Sequence, residues 1–244
     1  MGNTLTLLGT GTCQIESNRR ASSVLLRLGG LPILFDCGHG IVQRLLDVGI
    51  IPNELEHVVI SHFHPDHVSD LVPLMQAGAW SPRNPRNRDL HLYGPPGIKS
   101  LIDKLFDLYG ANAFQKMTYR IHVHELQAGS FEIEGWQFES VSLPPAGNHG
   151  LCLRLAGKRY ILTGDSNYHK QERACLMDSE LAVIDAGHIT DEEIVQLACE
   201  TQVNTLICSH LYRELDEQKL QRQAESCGYR GRLIVGCDLM EFGI

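Results

Sequence analysis

"SHFHPDHVSDL", residues 61–71, places three histidines and two aspartates within eleven residues. It follows "HVVI" (57–60), a β-branched apolar run that reads as a buried strand. It leads into "DHVSDLVPLMQAG" (66–78), where Val68, Leu71, Val72 and Met75 recur at helical spacing and predict one continuous helix. His62-x-His64-x-Asp66-His67 therefore sits at a strand-to-helix junction. In such a turn, side chains two apart can converge on one point while the next pair turns toward a second. Imidazole and carboxylate are ligands for zinc and similar divalent ions. A lone histidine here would read as a polar helix start with Asp66 as its N-terminal charge. Four ligand-type residues at this spacing predict a metal site instead.

Outward from that motif, strands and helices alternate. "TLTLLG", "SSVLLRL" and "LPILFD" read as early strands separated by Gly9-Thr10-Gly11 and Gly29-Gly30. Helices are predicted over 41–49, over 98–110 with Gly110 as its stop, over "TDEEIVQLACE" with Thr190 or Asp191 as cap, and over "DEQKLQRQAESCG". Residues 120–162 alternate strand patterns with turns. "VNTLICSH" is a strand ending in His210, and "GRLIVGCDLMEF" closes the chain as one strand. The second half repeats the plan of the first, which two mixed sheets with helices on their outer faces would satisfy. No linker, low-complexity tract or solenoid repeat interrupts the 244 residues, so one domain over 1–244 is expected.

Composition narrows the function classes. An apolar fraction of 43% with 20% charged residues is that of a globular protein. The net charge of -8 argues against a broadly basic nucleic-acid surface. No apolar run is long enough to span a membrane, and the start lacks the pattern of a signal peptide. The eight cysteines form no CxxC pair and lie among apolar runs, so free buried thiols and a cytoplasmic location are expected.

"SHFHPDH" resembles the signature of the metallo-β-lactamase superfamily, whose fold is an αββα sandwich. Other landmarks resemble its ribonuclease Z-like branch in order: "LLGTGTC" (7–13), "RRASSVLL" (19–26), "ILFDCGHGIVQRLL" (33–46), "LYGPPG" (92–97), "YILTGDS" (160–166), "DAGHIT" (185–190) and "LICSH" (206–210). The resemblance implies Asp36 behind the site and two divalent ions, zinc first, with manganese or iron also suited to the ligands. His62 and His64 would hold one ion, Asp66, His67 and His210 the other, and Asp165 would bridge. His188 would serve as proton donor or phosphate contact. The implied reaction is attack by a metal-bound hydroxide on a phosphodiester, with Asp66 orienting the nucleophile and His188 assisting the leaving oxygen. Thioester, lactone or other carbonyl hydrolysis is the alternative chemistry, since fold does not decide substrate.

The sequence departs from the superfamily at two places. The histidine normally supplied to the first ion is missing near Pro144-Pro145 in "VSLPPAGNHG"; His149 is its nearest replacement, and a degenerate binding or regulatory protein is the non-enzymatic alternative. Enzymes of this branch that process transfer RNA carry a long Gly/Pro-rich arm. Here "GLCLRL" runs straight through "AGKRY" to Asp165, so a small anionic or phosphodiester substrate is expected rather than transfer RNA. The branch also implies a homodimer.

The remaining polar clusters read as follows. Arg83, Arg86 and Arg88 in "SPRNPRNRDL", like Arg19-Arg20, either steer an anion or belong to a solvated loop, and the loop reading is favoured. His122 and His124 in "IHVHEL" have metal-like spacing but read as one face of a strand. His91 reads as a strand-surface residue, and His39 as a residue lining the site without ligating.

Overall fold

The computed structural model describes residues 2–244. Contacts divide the chain into two compact units: the residues up to Leu126 together with Asp238–Ile244, and Gln127–Cys237.

The first unit opens as a meander of β1 (Thr4–Gly9), β2 (Ser23–Leu28) and β3 (Leu31–Phe35). Three parallel strands follow, β4 (His57–Val59), β5 (Leu90–Gly94) and β6 (Ile121–Glu125). Helices α1 (Ile41–Asp47), α2 (Pro65–Val68), α3 (Leu71–Trp80), α4 (Ile98–Tyr109) and α5 (Ala111–Phe114) fill the crossovers, as parallel pairing requires. Ile41, Leu45, Leu71, Leu74, Met75, Ile98 and Ile102 pack from those helices onto Leu25, Leu34, Val58, Leu90 and Leu92 of the sheet. Hydrophobic burial of this kind stabilises each fully buried side chain by about 1.5–3 kcal/mol.

The second unit repeats the order. β7 (Gly129–Ile133), β8 (Trp136–Leu143), β9 (Asn148–Leu155) and β10 (Lys158–Leu162) form an antiparallel meander. β11 (Leu181–Asp185), β12 (Thr205–Ser209) and β13 (Arg232–Val235) then add in parallel to β10. Their crossovers contain α6 (Lys170–Leu176), α7 (Asp191–Thr201) and α8 (Glu217–Ser226). α7 is opened by a full capping box: the Thr190 hydroxyl accepts from the Glu193 N–H, and the Glu193 carboxylate accepts from the Thr190 N–H.

The chain forms two seven-stranded mixed sheets, each carrying helices, in the orders β14-β1-β2-β3-β4-β5-β6 and β13-β12-β11-β10-β9-β8-β7. The first order includes β14 (Glu241–Gly243), which returns to pair antiparallel with β1.

Four expectations are corrected, the last of them at Arg86. The closing strand is two strands in different sheets, because Gly236-Cys237-Asp238 breaks it and Asp238 is drawn into the first unit. Its Oδ1 accepts from the Thr10 N–H and hydroxyl, and its Oδ2 from the Arg20 N–H and the Arg44 guanidinium. The helix expected over 66–78 is two helices, interrupted at Ser69-Asp70, where the Asp70 carboxylate accepts from the Val42 N–H instead. The cysteines are not all buried thiols. Cys199 of α7 and Cys227 at the end of α8 form a disulfide with Cα atoms 6.2 Å apart, and Cys13 and Cys237 are exposed. The side-by-side packing of α7 and α8, both sulfurs lying near the Ala224 carbonyl, brings the pair together.

Arg86 is neither in a solvated loop nor available to an anion. It is fully buried, donates to the carbonyls of Leu55 and Pro52, and lies 5.2 Å from the Tyr119 ring centroid. Arg88 pairs with Glu56, and Arg19 donates to the Thr10 hydroxyl. Among the described residues, no helix is long and apolar enough to cross a membrane.

Candidate metal centre

In the first unit the ligand-type residues cluster just past the C-terminal end of β4. Pro65 at the first helical position fixes the start of α2, a place where the missing N–H costs nothing. Asp66 and His67 then fall in its first turn, both buried, while His64 is exposed. The His62 ring lies 4.5 Å from that of His64 and 4.2 Å from that of His67. Asp66 Oδ2 is 3.8 Å from His67 Nε2.

Asp36, at the end of β3, organises this cluster from behind. It adopts a left-handed φ of 63° and is buried. Its Oδ1 accepts from the Ser61 N–H at 2.7 Å; its Oδ2 accepts from the Ser61 hydroxyl at 2.8 Å and lies 2.8 Å from His67 Nδ1. With Nδ1 held by Asp36, His67 presents Nε2 as its ligand atom. Ser61 Oγ is 2.9 Å from His62 Nδ1, which leaves Nε2 to His62 in the same way. Gly38 is required here: a Cβ would lie 1.7 Å from the Asp66 carbonyl oxygen.

In the second unit three adjacent parallel strands end together. Asp165 follows β10, Asp185 ends β11 with His188 three residues on, and His210 follows β12. Ligand atoms of Asp165, Asp185, His188 and His210 all lie within 4.8 Å of one another. His210 Nε2 is 3.2 Å from Asp165 Oδ1, and its Nδ1 is 3.3 Å from Asp185 Oδ1. Asp185 also accepts from the N–H groups of Gly187 and His188, and its Oδ2 lies 2.6 Å from His188 Nδ1. That hydrogen bond, aided by the Asp185 and Asp165 charges, raises the His188 pKa above the ordinary imidazole value. His188 stacks on His210 at 5.2 Å, and Tyr212 meets both rings edge-on. Glycine at 187 is again obligatory, since a Cβ would lie 2.1 Å from the His210 carbonyl oxygen.

His149 lies on β9, half-buried, with Nδ1 2.8 Å from the Ser140 hydroxyl; burial lowers its pKa. Sequence reasoning missed Asp185, Tyr212 and Glu172. Asp185 had a legible signal, an acid closing an apolar strand three residues before a histidine, as Asp36 closes "ILFD". Glu172 had none: it is an acidic residue in the first turn of α6, yet it is fully buried and its carboxyl is pushed up to about 8 by burial, with the nearby Asp185 charge adding.

The donor chemistry fits divalent transition ions. Imidazoles with Nδ1 tied back, together with buried carboxylates, are zinc-, manganese- or iron-type ligands. The Cys175 and Cys208 thiols do not compete, since burial pushes both up to about 12.

Residues 18–210 match the family Metallo-beta-lactamase superfamily. The chain belongs to that superfamily. Similar sequences include ribonuclease Z of Methanococcus aeolicus, 32% identical over 121 residues, and ribonuclease Z of Mycobacterium marinum, 28% identical over 178 residues. The matches cover 50% and 66% of this chain but 35% and 62% of those relatives, so this metallo-β-lactamase superfamily member spans only part of their length. Among solved structures, the metallo-β-lactamase fold protein YhfI from Bacillus subtilis matches with a TM-score of 0.79 at 18% identity over 99% of both chains. The short form of human tRNase Z matches at 0.74 and 20%, over 99% of both chains. A diphosphatase from the PhnP family matches at 0.72 and 18%, over 99% of this chain and 98% of that one. The metallo-β-lactamase fold thus runs through both units.

Proposed function

We propose that this chain is a metal-dependent hydrolase, a phosphodiesterase with a binuclear site. His62 and His64 would hold one divalent ion and Asp66, His67 and His210 the second, with Asp165 serving both. When bound, the ions supply a water acidified toward neutral pH and positive charge against the phosphoryl oxygens.

The observation that carries this reading is the tethering of imidazoles by buried carboxylates. Asp36 holds His67 by Nδ1, and Asp185 lies against the Nδ1 atoms of both His188 and His210. Structural histidines need no such orientation; ligands and proton carriers do. Asp66 orients the attacking nucleophile. Asp185 favours the protonated form of His188, whose Nε2 proton passes to the leaving oxygen. Oxygen–phosphorus chemistry is supported by the ribonuclease Z relatives and the PhnP-family diphosphatase. A small phosphodiester is favoured over transfer RNA. β9 and β10 are joined by the two-residue turn Ala156-Gly157, and the net charge is -8.

The test is turnover of bis(p-nitrophenyl) phosphate, a thioester panel and a precursor transfer RNA by zinc- or manganese-loaded protein, with and without chelator. Chelator-sensitive diester cleavage is expected, with kcat falling about 10²–10⁴-fold in His188→Ala, falling to background in Asp66→Ala, and unchanged in the surface control His169→Ala. Thioester turnover alone would replace the reaction class. No turnover despite two bound ions per chain would leave a binding protein.

A further inference from the structure

A second imidazole cluster lies in the first unit and shares no residue with the one above. β4, β5 and β6 pair in parallel with His57, His91 and His122 on one rung; two residues further on, Tyr93 pairs with His124. Alternation along these strands turns Val58, Leu90, Leu92 and Val123 toward the helices and the four histidines toward the opposite face. His57, His91 and His122 lie near the starts of their strands, and His124 lies one residue before the end of β6, two strands away from β4.

The rings are mutually arranged. His91 stacks on His122 with centroids 4.7 Å apart and lies edge to edge with His124, the rings nearly parallel and their centroids 5.4 Å apart. His91 Nδ1 and His124 Nε2 are 3.2 Å apart. His122 Nε2 lies 2.8 Å from Asp89 Oδ2. All three histidines are only half-buried, so an ion can reach them from solvent. Two nitrogens on one tetrahedral zinc-type ion, each at 2.0–2.1 Å, stand roughly 3.3–3.4 Å apart. The His91–His124 separation is close to that spacing, and an ion there would take the place of the hydrogen bond the two nitrogens now share.

We propose that His91 and His124 form a second metal site, separate from the catalytic one, for a borderline transition ion such as Zn2+, Ni2+ or Cu2+. His91 Nδ1 and His124 Nε2 are the preformed ligands. His122 stays on Asp89 at 2.8 Å, and water completes the sphere. An all-imidazole set excludes Mg2+ and Ca2+, which demand oxygen ligands. Burial and the neighbouring imidazoles lower the His124 pKa, which keeps that ring in the neutral, ligating form at neutral pH. β6 is the edge strand of its sheet, and an ion held between His91 and His124 staples it to β5. The inference does not rest on the catalytic reading.

The experiment uses the untagged full chain, loaded with zinc, in equilibrium dialysis against Ni2+ at pH 7.5. One Ni2+ per chain beyond the content of a His91→Gln/His124→Gln double variant is expected. At least a tenfold loss of Ni2+ affinity in His124→Gln alone is expected too, with no loss in His169→Ala. Ni2+ should raise the melting temperature of the wild-type chain and not of the double variant. A wild-type arm is independent of variant folding: Ni2+-soaked crystals should give an anomalous peak between His91 Nδ1 and His124 Nε2. Equal Ni2+ uptake by wild type and double variant, or no peak at that point, would overturn the proposal.

Discussion

Single side chains here act through what lies behind them. Asp36 and Asp185 share a role: each is a carboxylate at a strand end, fully or almost fully buried, accepting backbone N–H groups while facing an imidazole Nδ1. Glu172 differs in having burial as its dominant influence. With its carboxyl raised to about 8, it stays protonated in the fold at pH values where the unfolded chain has released the proton. The unfolded state then binds fewer protons, so stability falls as pH rises from about 4.5 toward 8. Glu172→Gln is expected to remove this slope, gaining on the order of a few kcal/mol at pH 8 and almost nothing at pH 4. Urea melts across that pH range check it; parallel stability curves for the two proteins would show that Glu172 is ionised throughout. Residues 62, 64, 66 and 67 were legible because four ligand types in one short turn have no packing explanation. Glu172 was illegible because an acidic residue in a first helical turn is ordinarily explained by the helix dipole.

Elements were legible where local chemistry is self-contained. α7 announces itself by Thr190 and Glu193, and the structure supplies both hydrogen bonds of the box. Thr190→Ala is expected to cost about 0.5–2 kcal/mol, with serine restoring most of it. Thermal melts of the three proteins decide this, and an alanine variant as stable as wild type would mean that α7 is held by packing alone. α2 and α3 were read as one helix because the apolar spacing of Val68, Leu71, Val72 and Met75 runs through the break. What breaks it is the Asp70 carboxylate bonding to α1, a tertiary contact that periodicity does not encode. α6 escaped notice because His169, its cap through Nδ1, is not among the usual capping residues.

At the scale of the molecule, one plan is used twice: an antiparallel meander, then parallel strands whose C-terminal ends carry the candidate ligands. The repeat was visible in the sequence; the return of the last strand to the first sheet was not, since "GRLIVGCDLMEF" has no internal signal beyond Gly236 and Asp238. Asp238 joins β14 to the N-terminal segment by four hydrogen bonds, to Thr10, Arg20 and Arg44. Asp238→Ala removes these four hydrogen bonds and one of the two carboxylates paired with Arg44, leaving Asp47, and is expected to cost about 1–3 kcal/mol. Denaturant unfolding measures it; a loss below 1 kcal/mol would show that the strand pairing suffices.

The same arrangement sets an order of events during translation. Residues 127–237 leave the ribosome after β1 to β6 and before the strand that completes their sheet. The outer edge of β1 must therefore wait, unpaired, while more than a hundred residues are synthesised, exposing a template for wrong strand partners. In a cell, the interval before residue 238 emerges is when a chaperone holding that edge would matter most.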